Sequence, residues 1–509
     1  MTLAAGCATN PPRPPAAPGE RAEQARRTAT RAVRQLHQDL SSVFDAPIMA
    51  HARWGVMVES LQTGEVLYEL NPRRLMMPAS NMKIVTLAGA AHVLGWDYRF
   101  TTTLETDAPV EGGTLRGDLY VRGGGDPTIN RRNGRAAAVF AEWTAALKAA
   151  GIHRIAGRVI GDDQTFDDER LGAGWAWDYL EAGYAAPVGA LEYNEDTAEL
   201  TVAPAATVGE PAIVRLSAGS GLTVINRAVT SAAGVPETIA FRRPLDSPVL
   251  EVTGTVPLPD ANDSASPPVR TATRQVAVVN PTIYFVQSFK DALESAGVEV
   301  EGDAVDFDDV AASLVGSMAR RVLATAQSPP LRDIAIVLMK VSQNLYAETL
   351  MKAAGTAGGG VGTVPAGRTA MLSALRGWIR DEQALVMADG SGLSRYNYVT
   401  PDLLVRILER MYSDPRHRDP FLATLPIGGK DGTLAARMRR TRAEGNVRAK
   451  TGSISNVRAL SGYVHTRDGE LLAFAILAND FVIPAATVSW IADLAVEVLA
   501  NFTRAARTE

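Results

Sequence analysis

Residues 78–94 have the sequence PASNMKIVTLAGAAHVL, and the expected arrangement of the rest of the chain follows from these residues. Pro78 leads into a run of good helix formers whose apolar side chains recur at helical spacing. The pattern predicts a helix over residues 80–94, with Ser80 at or near its N-terminus. Because residues three apart share one face of a helix, Lys83 can reach Ser80.

The two ends of the chain predict a single antiparallel sheet that surrounds this helix. Trp54–Ser60 and Glu65–Leu70 form a hairpin pattern around a Gln-Thr-Gly turn. Three more strands are predicted near the C-terminus: Val447–Lys450, Ala459–Val464 and Leu471–Leu477. Further helices, which would cover the sheet, are predicted at residues 21–44, Leu331–Met351 (one long or two short), Arg368–Asp381, Pro401–Ser413 and Ala485–Asn501.

From about Phe100 to Thr325 the pattern changes to short alternating runs between turn signals. The run Gly123-Gly124-Gly125-Asp126-Pro127 breaks the chain sharply. This region is predicted to be β-rich, with one clear helix near Arg135–Ala150. We therefore expect an α+β fold in which a β-rich insertion interrupts the domain that holds the sheet.

The composition excludes several classes of protein. The chain has 509 residues, with 51 basic and 56 acidic ones and a formal charge of −5, so a dedicated nucleic-acid binder is not expected. Apolar residues make up 46% and charged residues 21%, which excludes disorder over most of the chain. Only seven of the basic residues are lysines, so a motif that needs lysine has few chances to arise by accident. We assign no function to the 44 arginines.

The single cysteine, Cys7, excludes an internal disulfide framework and any multi-cysteine metal site. It follows small residues and precedes a Pro-rich polar stretch that runs to about Glu20. This pattern resembles a bacterial lipoprotein signal cut just before Cys7, in which case the cysteine would carry lipid and hold the protein on a membrane. The charged and hydrophobic parts of a signal peptide are missing, which an earlier start of translation would explain. The alternative is a tail with a chance cysteine.

Three short motifs follow one another along the chain: Ser80-Asn81-Met82-Lys83, Ser342-Gln343-Asn344 and Lys450-Thr451-Gly452. Motifs of these types occur together in β-lactamases and penicillin-binding proteins. Each motif alone is weak, because such triplets are common on polar helix faces, in caps and in turns. Their order, on a predicted helix start, a loop or helix and a strand end, favours a shared catalytic site.

The chemistry of the three motifs is consistent with acyl transfer. Serine is a poor nucleophile unless a base takes its proton. Lys83 can be that base if its pKa is lowered by burial or by a second cation such as Lys450. Asn344 offers an amide that can hold a peptide group, and Lys450 and Thr451 can bind a carboxylate. Gly452 would leave room for substrate against the strand edge.

On these motifs the chain resembles the penicillin-binding protein 4 family, the class C low-molecular-mass D-alanyl-D-alanine carboxypeptidases and endopeptidases. The separation of 259 positions from Lys83 to Ser342 is typical of that family. Longer stretches support the resemblance: Asp389–Arg395, Leu425-Pro426 with Asp431–Leu434, Gly124–Pro127, and Gly161–Asp163 with Phe166.

The resemblance implies a role for each catalytic side chain. Ser80 would be the acylated nucleophile and Lys83 its general base. Ser342 would relay protons to the leaving amine, and Lys450 would act electrostatically.

It also implies a set of substrate-binding groups. Asn344 would bind the substrate peptide and Thr451 its terminal carboxylate. Gly452 and Ser453 complete the set, and the backbone N–H groups of Ser80 and Ser453 would form the oxyanion hole. Lys430 departs from the family pattern, where a smaller or apolar residue is expected. It would either alter substrate preference or do nothing.

The implied fold is a β-lactamase/transpeptidase-like domain, an antiparallel sheet with helices on both faces. It would be built from residues 21–99 and 326–509, with residues 100–325 inserted as two subdomains and residues 1–20 forming a signal remnant and tether. The implied activity is cleavage of D-Ala-D-Ala stem peptides or D-Ala cross-links of peptidoglycan, inhibited covalently by β-lactams. No metal, organic cofactor or nucleic acid is implied, and the location would be the periplasm or cell envelope.

Two alternatives remain open from the sequence. One is a β-lactamase or esterase on the same fold, which fast deacylation of penicillin would reveal. The other is a non-catalytic protein that binds the cell wall. Other catalytic patterns find little support, since the chain has no Gly-x-Ser-x-Gly elbow and no histidine pair at metal-ligand spacing. Asp306, Asp308 and Asp309 lack the register of a calcium loop.

Overall fold

The computed structural model describes residues 18–245, 247–260, 271–310 and 319–505, so that Cys7 and most of the predicted tether lie outside it. The α-helices of these residues are α1 Pro18–Phe44, α2 Met82–Val93, α3 Arg135–Ala149, α4 Pro281–Ser295, α5 Leu331–Lys340, α6 Asn344–Gly355, α7 Val364–Ala374, α8 Pro401–Ser413, α9 Pro415–Thr424 and α10 Ala485–Asn501. None of these helices is long and apolar enough to span a lipid bilayer.

The strands belong to one central sheet and to several smaller sheets. In chain order they are β1 Arg53–Ser60, β2 Val66–Leu70, β3 Thr101–Thr106, β4 Val110–Glu111, β5 Thr114–Leu115, β6 Leu119–Arg122, β7 Arg154–Ile155, β8 Val159–Asp162, β9 Thr197–Ala203, β10 Ile213–Leu216, β11 Thr223–Asn226, β12 Val229–Ser231, β13 Ala240–Arg242, β14 Val249–Thr253, β15 Thr255–Pro257, β16 Ala272–Ala277, β17 Glu299–Val300, β18 Ala304–Asp306, β19 Arg321–Gln327, β20 Leu385–Val386, β21 Tyr398–Val399, β22 Arg448–Ile454, β23 Val457–His465 and β24 Leu471–Asn479.

The central sheet joins both ends of the chain, as the sequence predicts. Its order is β2-β1-β24-β23-β22, and every neighbouring pair is antiparallel. β1 pairs with β24 from Arg53 opposite Asn479 to Ser60 opposite Leu472. This long register fixes the hairpin near residue 60 to the C-terminal strands, and it leaves β22 at the edge of the sheet.

Helices cover both faces of this sheet. On one face α1 and α10 pack around an apolar cluster that includes Leu40, Phe474 and Val496. On the other face α2, α5, α6 and α8 form a second cluster. Every residue of α2 from Met82 to Ala91 is buried, because these residues are apolar apart from Lys83 and Thr86 and lie inside the second cluster. The α+β prediction, with an antiparallel sheet between helices, is confirmed.

The residues between α2 and α5 hold two large apolar cores of their own. The first core is formed by residues of the sheet β18-β8-β6-β3-β19 together with residues of the helices α3 and α4. The second lies among β9, β14 and their neighbours. Helix α4 corrects the expectation of one clear helix in this region. The predicted boundaries at residues 100 and 325 stay predictions, and β19 runs across the second of them.

Of the one long or two short helices expected over Leu331–Met351, the structure has the two, α5 and α6. Two other predicted elements differ from the structure. Helix α7 ends at Ala374, seven residues before the predicted end, and begins where the Thr363 side chain accepts a hydrogen bond from the Ala366 N–H. The motif Lys450-Thr451-Gly452 lies within β22 rather than at a strand end.

Candidate active site

The three motifs meet at one cleft of about 780 Å³. Of the predicted site residues, the cleft is lined by Ser80, Ser342, Asn344, Thr451 and Ser453. The two lysines of the motifs are wholly buried behind this surface, where they contact the lining residues. Gly452 is buried at a different place, described below.

Ser80 lies in a one-turn 3-10 helix, Ala79–Asn81, directly before α2. The Nζ atom of Lys83 lies 3.0 Å from Ser80 Oγ. The same nitrogen donates to Asn344 Oδ1 at 2.6 Å and to the Ser391 carbonyl oxygen at 2.8 Å. A neutral amine has two hydrogens and one lone pair. If the two hydrogens go to the amide and carbonyl oxygens, the lone pair faces the Ser80 hydroxyl and can accept its proton.

Burial sets the proton affinity of Lys83. It lowers the pKa of Lys83 to about 7, and the carboxylates of Glu348 and Asp389 oppose this effect. Of the two causes that the sequence left open, burial is therefore the main one. At neutral pH a substantial fraction of Lys83 is unprotonated, as a general base requires.

The second lysine, Lys450, holds the second serine. Its Nζ donates to Ser342 Oγ at 2.8 Å and to the Thr451 carbonyl oxygen at 2.9 Å. Burial, and then the positive charge of Lys83, lower the pKa of Lys450. Ser342 has a φ of 65°, a backbone conformation that non-glycine residues rarely adopt and that is concentrated at functional sites.

The free edge of β22 presents backbone donors to the cleft. At this edge the Ala449 N–H donates to the Pro426 carbonyl oxygen at 3.0 Å. Backbone groups alternate in direction along a strand, so the N–H groups of Thr451 and Ser453 point to the same side. The Ser453 N–H is thus directed as the predicted oxyanion hole needs.

Gly452 does not leave room for substrate, as the sequence led us to expect. A Cβ atom at this position would lie 2.6 Å from the Pro78 carbonyl oxygen and 3.2 Å from the Asn81 backbone nitrogen. Glycine is therefore needed so that β22 can pack against the turn that carries Ser80. The space beside the Gly452 Cα is filled by the protein's own backbone, so it is not part of the cleft and is not open to substrate.

A buried loop supports the same turn from the other side. In Asp389–Gly392, Gly392 has a φ of 84°, and a Cβ there would clash with the Ala79 carbonyl oxygen. Asp389 is fully buried and accepts four hydrogen bonds, from two backbone N–H groups, Asn397 and Trp175. These contacts hold the loop against the nucleophile, where the Ser391 carbonyl meets Lys83.

The inserted region supplies one wall of the cleft, which the sequence analysis missed. Tyr179 and Tyr184 line the cleft, with their rings edge to face at 5.7 Å. The Tyr184 carbonyl oxygen accepts from Asn344 Nδ2 at 2.7 Å, and the Tyr179 hydroxyl lies 3.1 Å from Ser455 Oγ. No short motif marks these tyrosines in the sequence.

Two arginines that were given no function also line the cleft, Arg437 and Arg458. Arg437 pairs with Asp493 at 2.6 Å. The Arg458 Nη1 donates to the carbonyl oxygens of Ile454 and Val457, and no carboxylate among the described residues lies within ion-pair distance of its guanidinium. Burial and the charge of Arg437 lower the pKa of Arg458. A sequence with 44 arginines gives no signal that singles these two out.

An acidic cluster in the inserted region has the residue types of a metal site. Carboxylate oxygens of Asp163, Asp306 and Asp308 lie within 4.8 Å of one another. Arg170 lies among them, with its guanidinium 3.6 Å from Asp163 and 3.1 Å from Asp306. The arginine supplies the positive charge that a cation would bring, so the donor set does not fit a metal ion.

Lys430, which departs from the family pattern, lies outside the lining of the cleft. Its Nζ pairs with Glu444 at 2.8 Å, and its side chain is 55% exposed. The structure therefore offers no contact through which its charge would select a substrate.

Comparison with known proteins gives three findings. The chain matches the model of the D-Ala-D-Ala carboxypeptidase 3 (S13) family over residues 36–501. It is 39% identical over 464 residues to the D-alanyl-D-alanine carboxypeptidase of Actinomadura sp. (strain R39), covering 89% of this chain and 82% of that protein. Its fold is similar to the crystal structure of penicillin binding protein 4 from Haemophilus influenzae, with a TM-score of 0.77, 24% identity, and coverage of 91% of this chain and 99% of that one.

Proposed function

The chain belongs to the D-Ala-D-Ala carboxypeptidase 3 (S13) family, and we propose that it is a serine-type D-Ala-D-Ala carboxypeptidase that forms an acyl-enzyme on Ser80. The observation that carries this proposal is the contact of 3.0 Å between Lys83 Nζ and Ser80 Oγ. A buried amine with a pKa of about 7 beside a serine hydroxyl is the arrangement that activates serine as a nucleophile.

The reaction proceeds in two steps. Ser80 Oγ attacks the carbonyl carbon of the D-Ala–D-Ala bond while its proton passes to Lys83. The C–N bond then breaks, and the amino group of D-alanine leaves with the proton that Lys83 took from Ser80, relayed by Ser342 beside Lys450. Water then attacks the ester and gives its proton to Lys83, the C–Oγ bond to Ser80 breaks, and Lys83 returns the proton to Ser80 Oγ. The backbone N–H groups of Ser80 and Ser453 stabilise the oxyanion of both tetrahedral intermediates.

Arg458 binds the terminal carboxylate of the substrate together with Thr451. Arg458 has no carboxylate partner among the described residues and faces the cleft beside another arginine, so its positive charge is available to a substrate carboxylate. It stands opposite Ser453 in the pairing of β22 with β23, within the same wall as Thr451. A carboxylate placed there would receive a charge-assisted hydrogen bond.

Cleavage of D-Ala cross-links in peptidoglycan is the second mode of the same site. Where the leaving group of a cross-link carries a carboxylate next to the scissile nitrogen, the contacts of Arg458 and Thr451 serve both modes. Incubation with isolated peptidoglycan separates them. Free D-alanine reports the carboxypeptidase mode, and a fall in cross-linked dimers reports the endopeptidase mode.

The site of action is the cell envelope, because peptidoglycan lies outside the cytoplasmic membrane. The sequence pattern around Cys7 supports attachment through a lipid on that cysteine. Expression in a bacterium of the chain preceded by the charged and hydrophobic parts of a lipoprotein signal, with Cys7 or with Cys7→Ala, followed by membrane fractionation, tests this step. Release of the variant alone into the soluble fraction supports it, and equal distribution of both overturns it.

The activity itself is tested by release of D-alanine from a stem pentapeptide that ends in D-Ala-D-Ala. We expect the wild type to release D-alanine and the Ser80→Ala variant to release none above background. A folded wild-type protein that releases no D-alanine, from the peptide or from peptidoglycan, would contradict the proposal.

A further inference from the structure

Glu348 is a buried carboxylate to which the reaction above gives no role. It lies on α6, one turn after Asn344, and its side chain is fully enclosed. Its Oε1 accepts a hydrogen bond from the Ser391 N–H at 2.7 Å, and its Oε2 accepts one from the Gly390 N–H at 2.9 Å. Glu348 therefore holds the loop whose Ser391 carbonyl accepts from Lys83.

The same loop is held from the other side by α2. Thr86 Oγ1, one turn after Lys83, donates to the Gly390 carbonyl oxygen at 2.6 Å. Gly390 also packs closely on α6, since a Cβ there would lie 2.7 Å from the Ala347 carbonyl oxygen. The Ser391 carbonyl thus keeps its place over Lys83 only while the contacts to both helices are intact.

Glu348 is also one of the charges that Lys83 faces. The charged groups packed around the amine are Glu348 on α6, Asp389 in the loop and Lys450 on β22. Burial and the charge of Asp389 raise the pKa of Glu348 to about 7, close to that of Lys83. A proton taken up by Lys83 therefore creates a positive charge next to a group that can be negative in the same pH range.

We propose that Glu348 is a positioning residue for Lys83. It fixes the Ser391 carbonyl against the amine, and it offsets the positive charge that the amine gains when it takes the proton of Ser80. The inference rests on the proposed function, because it concerns the base of that reaction.

The test is the pH dependence of acylation by benzylpenicillin, followed by intact mass, for the wild type and Glu348→Gln. A negative neighbour raises the pKa of a lysine, so its removal lowers the pKa of Lys83. The rise of the rate with pH should therefore move to lower pH by about one unit. The rate on the plateau should also fall tenfold or more, because the less basic amine loses its charge partner and the loop loses an acceptor.

Glu192→Gln is the matched control. Glu192 is another buried glutamate that contacts α6, where it accepts from Thr349 Oγ1, and it makes no contact with Lys83 or the loop. We expect its variant to keep the wild-type pH dependence. A folded Glu348→Gln with an unshifted pH dependence would overturn the proposal, since loss of packing alone lowers the rate at every pH equally.

Glu348→Asp tests the positioning role of Glu348 if the glutamine variant does not fold. It keeps the charge but is one methylene shorter, so the pH dependence should stay in place while the rate falls tenfold or more. A wild-type rate in this variant would overturn the proposal. Failure of the wild type itself to be acylated would instead count against the proposed function.

Discussion

Lys83 Nζ lies 3.0 Å from Ser80 Oγ at the end of a helix that the protein buries along almost its whole length. The helix has little freedom to move because the sheet and the surrounding helices enclose it. Two close approaches, at Gly452 and Gly392, clamp the turn that carries Ser80. The distance between nucleophile and base is thus set by the core of the protein and not by a loose surface loop.

The rate of acylation by benzylpenicillin should follow the deprotonation of Lys83. Burial lowers the pKa of this amine to about 7, and only the neutral amine accepts a proton. The rate should therefore rise about tenfold per pH unit below 7 and level off above it. Lys83→Met, which keeps the length of the side chain, should lower the plateau about 10²- to 10⁴-fold. A rate that stays constant from pH 5 to pH 8 would point to another base.

Gly452→Ala should lower both the stability of the protein and the rate of acylation, although Gly452 does not line the cleft. The added Cβ would lie 2.6 Å from the Pro78 carbonyl oxygen, so β22 and the turn before Ser80 must move apart. We expect about 1–3 kcal/mol of destabilisation and a loss of acylation rate of about a hundredfold. Thermal melting and acylation kinetics measure the two effects.

Gly360→Ala is the control for that change. A Cβ atom at Gly360 would have no neighbour within 4 Å, so stability and acylation rate should stay close to those of the wild type. Equal behaviour of the two alanine variants would show that the close approach at Pro78 does not position the nucleophile.

Arg458→Ala should lower kcat/KM for substrates that end in a free carboxylate. Loss of one charge-assisted hydrogen bond should lower kcat/KM about tenfold to a hundredfold. A pentapeptide whose C-terminus is an amide should lose little, since it offers no anion. Arg442→Ala, which removes an exposed arginine, should leave both substrates unaffected. A similar loss on the acid and the amide would mean that Arg458 supports the strand and not the carboxylate.

Lys430→Ala should leave the activity within about twofold of the wild type. The lysine forms an exposed pair with Glu444, and exposed pairs contribute little to stability. Steady-state kinetics on the stem pentapeptide provide the measurement. A larger change in KM would show that the charge of Lys430 acts on the substrate after all.

The sequence predicted the central sheet and α2 because their signals are local and strong. Helix α10 matches its prediction, and β1 and β24 differ from theirs by at most two residues at either end. Helix α4 was missed although Asn280 and Pro281 form a helix start, with Asn280 Oδ1 accepting from the Ile283 N–H. Its aromatic and β-branched first turns hid the helical pattern within a region of strands.

The contacts that complete the site depend on the fold. Tyr184 reaches the cleft from the inserted region, and no spacing in the sequence places it beside Ser80. Arg458 stands opposite Ser453 on β23, but the predicted strand began at Ala459, one residue too late to include it. Gly452 was predicted as part of the motif, but its true neighbour, the Pro78 carbonyl, is visible only in the packing. Glu348 was within reach of sequence reasoning, because it stands four residues after Asn344 on a helix and so shares its face.

The most direct test of Ser80 as the nucleophile is the intact mass of the protein after exposure to benzylpenicillin, with Ser80→Ala as the control. We expect the wild type to gain the mass of one penicillin and the variant to gain none. Consumption of penicillin without a lasting adduct would indicate a β-lactamase instead. A folded wild-type protein that neither gains mass nor consumes penicillin would contradict the acyl-enzyme on Ser80.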